Sequence, residues 1–404
     1  MPEMLLLGAG TSIEAGVPGA YAMTRRIVES FDPSTISPEL EWMKAHRVPG
    51  QRQGPSWGYS QSYSLSGQQI DIFKEYYPIY HVLTFVLGGL LMQRGIVGQL
   101  PTELVNVEEL FSAVQLLAQR NQLEVAPFVG SWHPMVHLLD DRYSQRYADR
   151  YYSSTEEQRF WETLRIPIAG YGKGEVFLMT SEAMTKRLRE IVWIEDPRKV
   201  EYLKPIASLV GRQGKLTIAT LNYDNGIELM SHSNKIQFST GIEKWSSQGR
   251  FDFEDDGISL LKLHGSIDWI VGSNQPDSKH KFPQYTIRQV KIRDEKQNYN
   301  PALVFGQRNK LTNEGPFLDL LEEFRRSLLV ADTLTIVGYS FRDDHINAEI
   351  KRWINLTSNF RIRIVDPGFE SNDARFALDL KHLCIGQLEI ISDKASVGLE
   401  RLLG

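Results

Sequence analysis

The chain opens on a short apolar run, Met4–Leu7, that stops at glycine. Bounded in that way, four apolar residues read as a buried parallel strand rather than as part of a helix. Gly8, Ala9 and Gly10 then let the backbone turn sharply and approach another group closely. Thr11 and Ser12 stand where the next helix is expected to begin, so that its first N–H groups and its dipole would face the same point as the glycines. The stretch has the form of a phosphate cradle. A tight strand-to-helix turn without a ligand gives the same pattern, and Gly8-x-Gly10 continues to Gly16 rather than to a third glycine three residues on, as the dinucleotide fingerprint requires.

Beyond this turn the apolar positions of Ala20 to Phe31 recur at helical spacing, and then the pattern changes. From Asp32 to about Gln69 the chain is rich in Pro, Gly, Ser, Gln and aromatics without a period, which predicts a long surface loop or lid. Helical spacing returns over Ile70 to Leu100 and Val107 to Leu123, with Asn106 at the N-cap position and Glu108 and Glu109 in the first turn. Further helices are expected at Thr155 to Leu164, Met179 to Trp193 and Arg198 to Gly211.

Near Lys215 the character shifts to short β-rich runs: Leu216 to Leu221, Ser259 to Leu263, Ala302 to Phe305, Thr333 to Val337, Arg361 to Val365 and Leu388 to Ile391. Helical stretches lie between several of them, at Phe317 to Val330, His345 to Leu356 and Asp373 to Leu383. Strands alternating with helices predict an α/β fold, a Rossmann-like parallel sheet with helices on both faces. With the first strand in the same sheet, residues 1–34 and 206–404 form the sheet domain and residues 35–205 a large, mostly helical insertion or lid. Such a sheet takes its ligand at the carboxyl ends of its strands.

Composition narrows this picture. At 404 residues the chain can bury one large or two ordinary cores. No segment reaches the roughly 20 apolar residues that a membrane span needs, Val82 to Met92 being the nearest, and no signal peptide is expected. Cys384 is the single cysteine, which excludes a disulfide framework and a multi-cysteine zinc site and suits a reducing cytoplasm. His133, His137, His232 and His280 have no ligand set around them, so no metal is expected. The net charge of −5 gives no overall positive field for nucleic acid, and direct nucleic-acid binding is not expected.

The candidate chemistry gathers where strands end. The strand Leu216 to Leu221 runs into Thr220, Asn222 and Asp224; Ser259 to Leu263 runs into His264 and Gly265. Thr333 to Val337 runs into Gly338, Ser340, Asp343 and His345, and the next strand into Asp366 and Pro367. An asparagine amide offers a donor and an acceptor on one side chain, and a histidine can take up a proton at neutral pH. Each has a plainer reading as well, Asn222 as a turn residue, His264 as a satisfied core histidine, and Asp224, Ser340 and Asp366 as turn formers.

These motifs resemble those of the NAD-dependent enzymes of the sirtuin superfamily. The family's GAG-x-S-x-x-x-G-x-P loop corresponds to Gly8, Ala9, Gly10, Ser12, Gly16 and Pro18. Its T-x-N-x-D motif corresponds to Thr220, Asn222 and Asp224, its catalytic His-Gly to His264 and Gly265, and its strand-ending G-x-S to Gly338 and Ser340. The resemblance implies NAD as substrate. Asn222 and His264 become the catalytic pair, with Asn222 on the nicotinamide ribose or a water and His264 accepting a proton. Gly8, Ala9, Gly10, Thr11 and Ser12 would take the pyrophosphate, Thr220, Asp224 and Gly338 would bind the cofactor as well, Asp224 by holding ribose hydroxyls or orienting its neighbours, and Ser340 with Asp366 would take the adenosine ribose.

The departures bear on the substrate. One cysteine cannot supply the zinc module of the deacylases. Gly19, Ala20 and Tyr21 stand where those enzymes carry an aromatic-arginine pair, and their F-G-E stretch reads Phe305, Gly306, Gln307. The run from Pro301 to Phe305, followed by Lys310–Thr312, and the run Gly338 to Asn347 look like the prokaryotic sirtuin-like NAD hydrolases of anti-phage defence. The chain length is similar to that of the sirtuin-like subunit that works with a HerA-type hexameric ATPase. The resemblance therefore implies an NAD+ hydrolase that depletes NAD, a HerA-like partner and a homo-oligomer. A sensor or scaffold that binds NAD or ADP-ribose without turnover, and less so a protein deacylase, are the competing readings.

Overall fold

The computed structural model describes residues 2–32, 63–65, 68–70, 72–95, 104–119, 136, 139, 175–274, 284–290, 301–303 and 315–404. The expected lid between Asp32 and Gln69, apart from its two short strands, the helix expected at Thr155 to Leu164, and the stretches Phe305–Gln307 and Lys310–Thr312 lie outside the described residues. By its internal contacts the chain forms two compact units, Met1–Gly19 with Arg189–Gly404, and Ala20–Leu188.

The first unit is built on β1 (Glu3–Leu7), an apolar run buried on both faces, as a central parallel strand must be. Across the chain follow β2 (Tyr63–Leu65) and β3 (Gln68–Ile70), a hairpin of the second unit, then β4 (Lys215–Thr220), β5 (Phe238–Ser239) and β6 (Gly257–Lys262). After these come β7 (Gly265–Asn274), β8 (Gln284–Gln289), β9 (Pro301–Leu303), β10 (Thr333–Val337), β11 (Arg361–Val365) and β12 (Leu388–Ile391). Seven of them form one sheet in the order β12-β11-β10-β1-β4-β6-β5, with every pairing parallel. Helices flank it, and Leu6, Ala219, Leu261, Ile336, Ile364 and Phe324 belong to its buried core. The expected parallel α/β sheet is the one observed.

The run Ala302 to Phe305 was expected in that sheet, and its described part, Ala302 and Leu303, is not there. Pro301–Leu303 instead pairs antiparallel with β7 in a three-stranded sheet of order β8-β7-β9. The turn into β7 is made at Gly265, with φ +87°, where a Cβ would lie 2.0 Å from the Ala302 carbonyl oxygen. A short apolar run carries no mark of its partner's direction. The close approach at Gly265 decides it.

Among the described residues this unit holds the helices α5 (Lys204–Gln213), α6 (Gly226–Ser233), α7 (Ile242–Gln248), α8 (Phe317–Val330), α9 (Asp344–Ile354), α10 (Arg375–Leu383) and α11 (Ala395–Leu403). The single helix expected over Arg198 to Gly211 is instead a 3-10 segment, Pro197–Leu203, followed by α5. Pro205 in the first turn of α5 lacks an N–H and cannot donate back to an upstream carbonyl, so the α-helix starts afresh there. In the second unit α1 (Ala20–Glu29), α2 (Ile72–Gln93) and α3 (Val107–Gln119) pack on one another through Ile27, Leu83, Leu87, Leu110 and Phe111, all buried. Asn106 accepts from Glu108 N–H at 2.8 Å, the cap its position suggested. Helix α4 (Glu175–Val192) runs from the second unit into the first. Among the described residues no helix is long and apolar enough to cross a membrane.

Candidate active site

Parallel register brings the carboxyl ends of five strands to one edge of the sheet. Leu7 stands beside Thr220 and Val337, Thr220 beside Lys262, and Val337 beside Val365. The chain leaves β1 towards β4 on one side and returns to β10 on the other. The crevice outside β1 and β10 is therefore the switch point where such sheets bind ligands.

Two glycine turns meet at this point. Gly8 N–H donates to the Val337 carbonyl at 2.9 Å and Gly10 N–H to the Gly338 carbonyl at 2.8 Å. A Cβ on Gly8 would lie 2.5 Å from the Gly338 oxygen and one on Gly10 2.7 Å from Gly338 Cα. The glycines at 8, 10 and 338 thus serve, first, the crossing of two backbones. Ala9–Ser12 form a single 3-10 turn rather than the opening of the next helix, which starts only at Ala20. Thr11 and Ser12 consequently cap no helix: the Thr11 hydroxyl donates to the Val337 carbonyl at 2.8 Å, while Ala9 is exposed on the turn. The loop is tied down on both flanks. Tyr202 donates its hydroxyl to the Thr11 carbonyl, and Glu14 accepts from Ser396 N–H at 2.8 Å and from its Oγ at 2.7 Å. Burial, with Asp224 and Glu14 nearby, raises the Tyr202 phenol above its usual range, so it stays a donor.

Asn222 is brought into direct contact with this loop. Its Nδ2 donates to the Gly8 carbonyl at 2.9 Å and to Ser12 Oγ at 3.0 Å. Thr220 Oγ1 accepts the Asn222 N–H at 3.1 Å and so fixes the turn that aims the amide. With both amide hydrogens committed inside the protein, Oδ1 is the atom Asn222 offers outward from a half-buried position.

His264 follows β6 and is buried, its Nε2 2.8 Å from Asp343 Oδ2. Tyr223, the residue after Asn222, lies against it with ring centroids 6.3 Å apart. Asp343 also caps α9, its Oδ1 accepting from His345 N–H at 3.1 Å. His345 is thus in the first turn of a helix.

Asp224 turns inward: Oδ1 accepts from Gly226 N–H at 2.9 Å at the start of α6, and its own carbonyl accepts from Lys262 Nζ. Lys262 is fully buried and pairs with Glu228 Oε1 at 2.8 Å. Burial by itself disfavours the ammonium, but Glu228, Asp268 and Asp224 outweigh it and hold the lysine above its usual pKa. This polar cluster lies under the strand ends and supports the loop that carries Asn222.

Ser340 and Asp366 stand apart from that group. Ser340 is exposed, and its carbonyl accepts from Asn372 Nδ2 at 3.2 Å. Asp366 Oδ1 accepts from Gly368 N–H at 2.7 Å in an Asx turn, and burial raises its carboxyl pKa against that bond. The structure thus joins Gly8, Ser12, Thr220 and Asn222 by hydrogen bonds and sets His264 on the next strand. Sequence reasoning missed Tyr202 and Lys262 as parts of the site, and placed Asp343 at a strand end without giving it a role. Nothing in the sequence tells that one oxygen of Asp343 reaches a residue 79 positions earlier.

A family model described as a SIR2-like domain matches residues 216–382. That match supports a place in the sirtuin-like superfamily. The matched span holds Thr220, Asn222, Asp224, His264, Gly338, Ser340 and Asp366, while the glycine loop at residues 8–18 precedes it. No curated protein matches the chain. SIR2-like domains use NAD.

Proposed function

We propose that the chain is an NAD+ glycohydrolase that cleaves the nicotinamide–ribose bond with water. The observation that carries this reading is the pairing of functions on neighbouring strands: an anchored Asn222 and a buried His264 held by a carboxylate. In the reaction, water oxygen bonds to the ribose carbon as nicotinamide leaves with the electron pair of the broken bond. His264 takes the proton of the water, and Asn222 Oδ1 holds the water or a ribose hydroxyl. Gly8–Ser12 receive the pyrophosphate, and Ser340 and Asp366 the adenosine ribose.

The hydrolase depletes NAD in anti-phage defence, as a cytoplasmic homo-oligomer in complex with a HerA-like hexameric ATPase. This is supported by the likeness of Pro301–Phe305, Lys310–Thr312 and Gly338–Asn347 to defence NAD hydrolases, and by the chain length. The single cysteine and the changed positions 19–21 weigh against a deacylase. One observation favours a second reading, NAD binding without turnover: both amide hydrogens of Asn222 already serve Gly8 and Ser12.

The test is nicotinamide release from NAD by the purified chain, alone and with a HerA-type ATPase and DNA, beside Asn222→Ala and His264→Ala. Release by the wild type that both substitutions abolish supports the hydrolase. NAD bound but unchanged in every mixture replaces it with the sensor.

A further inference from the structure

We propose that Asp343 is a positioning residue that fixes the tautomer and orientation of His264; this rests on the reading of His264 as the proton acceptor. The two side chains are 2.8 Å apart with exposures of 6% and 5%, so their hydrogen bond is shielded from water. A carboxylate that only capped α9 would need one oxygen. Here Oδ1 accepts from His345 N–H at 3.1 Å and Ile346 N–H at 3.4 Å, and Oδ2 is turned to the imidazole.

The turn that carries Asp343 is held from several sides. Asp343 N–H donates to Tyr339 Oη at 3.2 Å, that hydroxyl donates to Asn347 Oδ1 at 2.9 Å, and Asn347 Nδ2 donates to the Phe341 carbonyl at 2.8 Å. Phe341 has φ +59°, a conformation that costs a non-glycine residue energy. It is held there by burial among Tyr339, Phe369 and Phe376, with ring centroids 4.7, 5.4 and 6.1 Å away. A strained, fully packed turn delivers the carboxylate to one place.

The chemistry follows from the atoms. An ionised carboxylate only accepts, so Nε2 carries the hydrogen and the lone pair of the neutral ring is on Nδ1. Proton uptake at Nδ1 then gives an imidazolium already paired with an anion, and the ring cannot rotate to present the wrong nitrogen.

Asp343→Asn tests this, because asparagine caps a helix about as well as aspartate and leaves α9 intact. Its amide can donate to Nε2 and so favours the opposite tautomer. Expected are a fall in kcat of ~10²–10⁴-fold with little change in KM for NAD, an unaltered unfolding midpoint, and imidazole 15N shifts that move from the Nε2–H to the Nδ1–H pattern. Turnover within threefold of wild type, or an unchanged tautomer, overturns the proposal. Should Asp343→Asn not fold, Asp343→Ser keeps a capping oxygen and removes the carboxylate from the ring, with the same kinetic and NMR readouts. A wild type that releases no nicotinamide defeats the hydrolase reading instead, and the 15N tautomer comparison still decides the pairing.

Discussion

Gly10 and Gly338 pass each other at backbone contact: a Cβ on Gly338 would lie 2.6 Å from Gly10 Cα and 2.4 Å from Thr11 N. Gly338 also has φ +60°, which favours glycine on its own account. Gly338→Ala is therefore expected to lose about 3 kcal/mol or more, through overlap with backbone that has no side chain to move aside. Gly211→Ala in α5, with nothing within 4 Å of its Cβ, is the control and should gain about 0.5–1 kcal/mol. Urea unfolding of both variants checks this, and equal stabilities would mean that the crossing is not tight.

The bond from Glu14 to Ser396 ties the glycine loop to the first turn of α11, 382 positions away. Glu14→Ala should cost about 1 kcal/mol and speed amide exchange at the start of α11. Glu14→Gln keeps one acceptor oxygen and should lose less. Exchange at that turn that ignores both substitutions would show that another group caps it.

Lys262 and Glu228 form a buried pair in which each charge depends on the other. Lys262→Met should cost about 3–5 kcal/mol, because Glu228 is left buried without its cation. The double variant Lys262→Met, Glu228→Leu should recover much of that loss, and a double-mutant cycle by chemical denaturation measures it. Additive losses would refute mutual dependence.

Glu349 joins α8 to α9, accepting from Arg325 at 2.8 and 2.7 Å and also pairing with Arg352. The Arg325 hydrogen bonds, with both guanidinium charges, hold its carboxyl below the ordinary 4.5. A depressed native pKa means that the stabilisation is complete above the unfolded-state pKa and is lost as pH falls through the native value. The gap between wild type and Glu349→Gln should be about 1–2 kcal/mol at neutral pH, since Arg325 is half-exposed, and should close in acid. Unfolding free energies measured over a pH series would contradict this if the gap stayed constant.

Much of the site was legible because its parts are local. The runs at Thr220–Asp224, His264 and Gly338–Ser340 each follow a strand whose apolar pattern is plain, so their place at strand ends follows from the strands alone. What each residue touches was not legible. Thr11 reads as a hydroxyl at the start of a helix and is spent on Val337, and the glycines read as room for phosphate and are used by a backbone crossing. Two short helices, α6 and α7, went unread because they are too brief for a clear period.

The sequence by itself determined the parallel α/β architecture, since strand length, burial on both faces and alternation with helices are set by local apolar pattern. Tertiary structure alone decided that Pro301–Leu303 pairs antiparallel with β7, that Lys262 is buried against Glu228, and that Asp343 meets His264. Each of these joins residues separated by at least 31 positions along the chain, and contact between them is fixed only when the packed sheet brings the strand ends together. Periodicity reports the environment of a residue; it does not carry the identity of its neighbour.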